Sequence, residues 1–380
     1  MRAQDSNKPT LPILINTRCQ TAPLSGVQRY AGELQRRIGS GLQSVAPPRP
    51  MQGVRGHLWE QLVLPRIARD AFLWSPGNSG PLTVRRQVLT IHDVASLEHP
   101  EWYSTPFAMW YRWMTLKLVH RVQRVITVSE FSKRRLVALS GVEESRVVVI
   151  PPGVNEDFHR RPSSEIEQVK RSLKIPSAHY VLSLGVREPR KNLRQLLVAW
   201  ASCSPNLPDD VWLVVAGPGG SKRVFSDCGL GFVPSRVHFT GFVPDCDLPA
   251  LYSGAVALVY VSLYEGFGLP ALEAMACGTV PIISENAALP EVVGTAGLFV
   301  RPSDSEAIAA CIKRIVREDG LRCKLQIAGV RHSVEFSWER TANLTWKILK
   351  DEALRCETRA RSTTRDARLM STADVDSNLG

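Results

Sequence analysis

A chain of 380 residues, 44% hydrophobic and 22% charged, is too long for one ordinary core and is expected to divide into two globular domains. No apolar run approaches the roughly 20 residues of a membrane span, and "MRAQDSNKPTLPILIN" lacks a cleavage-site pattern, so a cytoplasmic protein without a secretory signal is expected. Net charge is +11 but uneven: residues 1–160 carry 21 Lys and Arg against 12 Asp and Glu, while the remainder is nearly neutral, so the first half is expected to face an anionic partner.

In chain order, "LPILIN" (11–16) reads as a strand and "SGVQRYAGELQRRIGSGL" (25–42) as a loop entering an amphipathic helix. A helix over 57–70, a strand over 86–93 ending in His92-Asp93 and an aromatic-basic helical segment from 107 follow. A strand over 124–129, a helix over 130–139 and a strand over 146–154 complete the first half. Polar, proline-containing sequence at 155–168 predicts a linker, which puts one domain at 1–160 and a second at 161–336. The second half repeats the alternation, with strands at 179–186, 211–217, 236–243, 256–262, 279–285 and 297–302. A closing helix over about 337–356 is expected to return to the first domain, and the polar tail 357–380 to be disordered. Strands alternating with helices predict α/β architecture with parallel sheets.

The eight cysteines form no Cys-x-x-Cys pair and have no histidines at zinc-finger spacing, so reduced thiols without metal are expected. Asp245-Cys246-Asp247 matches a metal-binding Asp-x-Asp pattern, but it precedes a helix, where an aspartate cap is the preferred reading.

"LVYVSLYEGFGLPALEAMACGTVPIIS" (258–284) concentrates the chemistry. Glu265 follows a strand directly, where open α/β sheets bind ligands. Gly266 and Gly268 let backbone approach a ligand, and the helix beginning near Leu269-Pro270 offers free N–H groups to phosphate. Glu273 lies eight positions after Glu265, in a small, apolar and therefore buried helix. Surface acids are the ordinary alternative, yet two carboxylates beside a phosphate site suit a hydroxyl-rich sugar, whose O–H groups they accept. Arg190 and Lys191, after the first strand of the second half, supply the positive charge a diphosphate requires.

These stretches resemble the Glu-x7-Glu signature of glycosyltransferase family 4, retaining enzymes of GT-B fold. The resemblance extends through "VLSLGVREPRKNL", "VVAGPGG", "VHFTGFVPDCDLPALYSGA", "SGVQRYAGEL", "LTIHDVASLEHP" and "RVITVSEFSKRRL". It implies two Rossmann-like doubly wound domains facing a cleft, the C-terminal one holding a nucleotide-sugar donor. It further implies Glu265 at the donor sugar and phosphates, Glu273 at the ribose, Arg190 and Lys191 at the diphosphate, and backbone of Gly266, Phe267, Gly268 and Leu269 at the sugar. His92 would face the sugar from the other domain, and Gly26 would mark a glycine loop near donor and acceptor. Where many members carry arginine after the glycine of the first C-domain strand, this chain has Val186, leaving Arg187 or Arg190 as the second cation. Neither a cofactor nor a metal is implied.

"FAMWYRWMTLKLVHRVQR" (107–124) pairs aromatic with basic residues, which suits an anionic membrane surface or a polyprenyl-diphosphate-linked glycan acceptor; a core helix with a basic outer side stands beside that reading. Nucleic acid fits poorly, as no nucleic-acid motif is present. "HLWEQLVLP" resembles bacterial O-antigen and exopolysaccharide mannosyltransferases, which favours GDP-mannose as donor and surface-polysaccharide synthesis on the inner membrane face. A UDP-sugar enzyme of the same fold and a non-catalytic nucleotide-sugar-binding protein are the alternatives.

Overall fold

The computed structural model describes residues 9–21, 26–51, 53–219 and 233–376, with 361 and 363–376 described by backbone alone. The described residues form two six-stranded sheets in which every pairing is parallel.

The N-terminal sheet runs β2 (Gln43–Val45), β1 (Ile13–Asn16), β3 (Phe72–Ser75), β4 (Gln87–Ile91), β5 (Arg124–Thr127), β6 (Val147–Val149). Its helices are α1 (Gly26–Ile38), α2 (Gly53–Leu62), α3 (Leu64–Ile67), α4 (Ala95–Glu98), α5 (Thr105–Leu118) and α6 (Glu130–Ser140). The sequence reading of 57–70 as one helix is corrected here: the segment is divided between α2 and α3, with Pro65 in the first turn of the second. Strand β3 has no counterpart in the sequence reading. "FLWS" is buried at all four positions, so it shows no alternation, and four residues are too few to declare a period.

The second sheet runs β12 (Leu298–Val300), β11 (Val280–Ser284), β10 (Ala255–Tyr260), β7 (His179–Leu184), β8 (Val211–Ala216), β9 (Val237–Gly241). Around it lie α7 (Ser163–Ser172), α8 (Leu193–Cys203), α9 (Leu248–Ser253), α10 (Leu269–Ala276), α11 (Leu289–Val293), α12 (Ser305–Arg317) and α13 (Asp319–Ser333). Successive side chains of a strand go to opposite faces. In β10, Ala257 and Val259 join the core that includes Leu196 and Ile308, whereas Leu258 and Tyr260 join the core that includes Leu251 and Leu272. Both faces are covered, which is why these strands read as continuous apolar runs. Chain order reverses between β7 and β10, so the loops after those two strands open at the switch point where doubly wound sheets bind ligands.

α14 (Trp338–Asp376) returns to the N-terminal lobe. Trp338 is buried against Tyr30, ring centroids 6.0 Å apart, and Arg124 Nε donates to Glu352 Oε1 at 2.7 Å. The helix continues into the segment expected to be disordered. Alanines and arginines there favour helix locally even without an apolar face to bury, a propensity that the polar composition concealed. No helix among the described residues is long and apolar enough to cross a membrane.

Candidate active site

The loop after β10 carries Glu265 into the switch point, and the loop after β7 brings Arg190 and Lys191 to meet it. Lys191 Nζ donates to Glu265 Oε1 at 2.7 Å and to the Tyr260 hydroxyl at 2.5 Å, while Arg190 Nη1 donates to Glu265 Oε2 at 3.3 Å. Glu265 is only 6% exposed. Burial alone would raise its carboxyl pKa, but Lys191 and Arg190 outweigh that and hold it down at about 2. Arg190 also pairs with buried Glu188 and, from the other lobe, with Asp93 at 3.7 Å. Burial works against its charge, yet Glu265, Glu188 and Asp93 together keep its pKa well above the ordinary value. Arg187 goes elsewhere: its guanidinium lies over the Phe239 ring at 5.6 Å, so Arg190 is the second cation at Glu265.

Gly266 explains the glycine of this turn. A Cβ there would lie 2.1 Å from the His92 carbonyl oxygen of the opposing lobe, a distance no side chain tolerates. Gly268, at φ +113°, precedes α10 in a conformation that favours glycine, and a Cβ there would collide with Leu289. The Gly266 carbonyl accepts from Ser129 Oγ at 2.6 Å and Ser132 Oγ at 3.1 Å, both at the start of α6. Glu291 crosses in the other direction, accepting backbone N–H bonds from Glu130 at 2.9 Å and Phe131 at 2.7 Å. The two lobes therefore meet at this turn.

His92 is placed at the same contact, but its backbone touches the turn. The ring packs edge-on against Tyr30, centroids 4.8 Å apart, with Nε2 2.8 Å from the Pro76 carbonyl. A carbonyl only accepts, so Nε2 carries the proton and Nδ1 the lone pair. Burial lowers the ring's pKa and keeps it neutral. Phe267 turns its ring into the interior against Phe336. Gly26 opens α1 facing Leu269, whose Cδ1 would be 3.6 Å from a Cβ at Gly26.

Glu273 lies in the second turn of α10 and is also buried. Its partners are the Tyr252 hydroxyl, donating at 3.0 Å, and the Arg29 guanidinium, reaching across from α1. Burial raises its pKa, and Arg29 and Tyr252 offset that only in part. Arg29 also donates to Asp245 Oδ2 at 2.6 Å. Asp245 is thus a cross-lobe partner of Arg29, a correction to the helix cap expected from the sequence; Asp247 occupies the position before α9 without a side-chain capping bond. Among the described residues no group of three potential metal ligands is assembled.

Sequence reasoning missed Arg29, Glu188, Asp93 and Tyr260 as partners in this cluster. Glu188 had a local signal, two positions before Arg190. It also missed Glu60 of "HLWEQ", fully buried, which accepts from Asn16 at 2.7 Å and Ser79 at 3.0 Å and pairs with Arg18 at 3.2 Å. That network ties α2 to the ends of β1 and β3, next to Asn78, whose Oδ1 accepts the His92 backbone N–H at 2.7 Å.

Two family profiles divide the chain between them. "Glycosyltransferase Family 4" matches residues 27–158 and "Glycosyl transferases group 1" matches residues 165–332. O-antigen chain mannosyltransferase B of Escherichia coli is 32% identical over 287 residues, 75% of each chain. Serotype-specific mannosyltransferase WbdA of the same species is 29% identical over 266 residues, which are 68% of this chain and only 32% of WbdA. The solved structure of Anabaena Alr3699/HepE in complex with UDP-glucose superposes with TM-score 0.70 at 18% identity, covering 90% of this chain and 99% of that one. WaaG, a glycosyltransferase of lipopolysaccharide biosynthesis, superposes with TM-score 0.68 at 15% identity, covering 89% and 99%. Two doubly wound lobes meeting at a carboxylate–cation cluster have the architecture of a GT-B glycosyltransferase. The chain belongs to glycosyltransferase family 4.

Proposed function

We propose that the enzyme transfers mannose, with retention of anomeric configuration, from GDP-mannose to a lipid-linked glycan acceptor, a polyprenyl-diphosphate-linked chain in bacterial surface-polysaccharide synthesis, working from the inner face of the membrane. The observation that carries this reading is the Glu265–Lys191–Arg190 cluster at the β7/β10 switch point, opposite the His92 turn of the other lobe. The relatives named as mannosyltransferases support the sugar. The base is inferred with the sugar.

In this reading the donor's diphosphate lies against Arg190, Lys191 and the first N–H groups of α10, which supply the positive charge without a metal ion or cofactor. Glu265 stays ionised and holds both cations in place beside the sugar. Glu273 accepts from the ribose hydroxyls. The bond from the sugar's anomeric carbon to the phosphate oxygen breaks as the acceptor oxygen bonds on the same face, and the acceptor's proton passes to the departing phosphate. GDP then leaves. His92, neutral and fixed by Pro76, borders the sugar from the N-terminal lobe.

A thermal-shift panel of GDP-, UDP- and ADP-sugars in the presence of a chelator tests the donor. GDP-mannose is expected to stabilise the fold, and a coupled assay is expected to register acceptor-dependent GDP release that Glu265→Ala abolishes. Stabilisation by UDP-glucose alone would assign the UDP-sugar alternative, for which the UDP-glucose complex of HepE is the precedent. Nucleotide binding with no transfer to any glycan acceptor would leave a binding protein.

A further inference from the structure

We infer that the outward surface of α2, α3 and α5 is the face on which the enzyme sits against an anionic phospholipid bilayer. The inference deepens the proposed membrane association and rests on that reading for its biological setting. α2 carries Val54, Leu58 and Leu62, spaced by four and hence on one side of the helix, exposed by 76%, 53% and 57%. Val63 and Ile67 extend this stripe onto α3. α5 adds Met109 and Trp113, 67% and 48% exposed and likewise four apart. The helices are neighbours, since His57 of α2 packs edge-on against Trp110 and Tyr111 of α5 with ring centroids 5.3 and 5.7 Å away. On α5 the surface is recessed into an open apolar depression of about 560 Å³ lined by Thr105, Pro106, Met109, Trp110 and Trp113.

Charge selects the occupant. The exposed ionisable side chains of α2, α3 and α5 are Arg55, Arg66, Arg112 and Lys117, all cationic, and residues 102–129 contain no Asp or Glu. Glu60, the one acid of α2, is fully buried against Arg18. Helices that expose apolar side chains and cations but no acid match the boundary between acyl chains and phosphate headgroups. A protein partner would require an acidic face of its own.

The N-terminal end of α5 adjoins the active site. Tyr103, just before α5, lies near enough to Asp93, Arg190 and Glu265 for their charges to act on its hydroxyl. From Tyr103 an aromatic row follows the inner side of the helix, stacking on Phe107 at 5.4 Å and from there on Tyr111 at 4.3 Å, on the side of α5 opposite Met109 and Trp113. α5 thus has one side against the aromatic row that starts at the active site and the other, with Met109 and Trp113, turned to the bilayer.

Sedimentation of the full chain with phosphatidylcholine vesicles, with and without phosphatidylglycerol, tests the face. Wild type is expected to bind phosphatidylglycerol-containing vesicles at least about tenfold more tightly than neutral ones, and Leu58→Glu/Trp113→Glu to lose about as much, because both apolar insertion and charge attraction are then opposed. The variant's melting temperature without ligand, expected to lie within a few degrees of wild type because both side chains are exposed, confirms that it is folded. Absence of wild-type binding to either vesicle, binding unchanged in the variant, or a dimer of the chain that Leu58→Glu dissociates would overturn the inference. Because vesicle binding is read without donor, failure of the GDP-mannose assignment leaves this result interpretable.

Discussion

Glu265 and Glu273 belong to one eight-residue repeat of acids and are buried to similar degrees, yet the fold moves their carboxyl pKa values in opposite directions. Glu265 is met by two cations of its own lobe, which stay with it whether the lobes are closed or apart. Glu273 relies on Arg29 of the other lobe, together with the neutral Tyr252 hydroxyl. Equal burial thus yields a permanently ionised group at one end of the motif. At the other end the charge depends on the lobes meeting. A buried carboxylate left without its partner is costly, so lobe opening should favour protonation of Glu273 or admit water and ligand hydroxyls to it.

The largest expected effect comes from removing the permanent charge. Glu265→Ala should lower kcat by about 10³-fold or more, as the two cations that meet the leaving diphosphate lose their common anchor; measurement of nucleotide release under saturating donor checks this. Lys191→Ala should cost about 10²-fold in kcat/KM for the same reason. Gly266→Ala should come next. Its Cβ cannot coexist with the His92 carbonyl, so small-angle scattering should show a more open particle, and kcat should fall by at least about tenfold while the separate lobes remain folded.

Acid stability sharpens the contrast. A carboxyl held at about 2 instead of the ordinary 4.5 contributes about 3 kcal/mol near neutral pH. That contribution is complete above pH 4.5 and disappears as pH falls towards 2. Lys191→Met should therefore shift the acid limb of a melting-temperature profile to higher pH. Glu273, with its pKa raised, has the opposite sign: folding favours its protonated form, and stability is lost as pH rises through its folded pKa. Glu273→Gln should accordingly leave the neutral-pH melting temperature unchanged or higher. The smallest effect is expected from Arg29→Met, which should raise the donor KM by about tenfold with kcat nearly constant, more so as pH falls, because loss of Arg29 raises the Glu273 pKa further.

How much of this was readable in the chain follows the same division. Glu265, Arg190 and Lys191 sit in short segments whose glycines and strand ends mark ligand-binding loops, and the structure brings all three together. Arg29 and Glu273 are 244 positions apart, and nothing in "SGVQRYAGEL" distinguishes a cross-lobe arginine from a solvated one. Asp245 illustrates the opposite error: position before a helix suggested a cap, but the loop faces the other lobe and its carboxylate goes to Arg29. The exposed stripe of α2 was hidden because periodicity reveals that a helix has sides without revealing which side the fold leaves uncovered.

Calorimetric titration of GDP-mannose into the full chain, with chelator present throughout, tests the central claim most directly. The account predicts saturable one-site binding that Arg190→Ala/Lys191→Ala eliminates while a control variant at Arg187 preserves it. Binding that appears only on adding a divalent ion, or that survives loss of both cations, would contradict it.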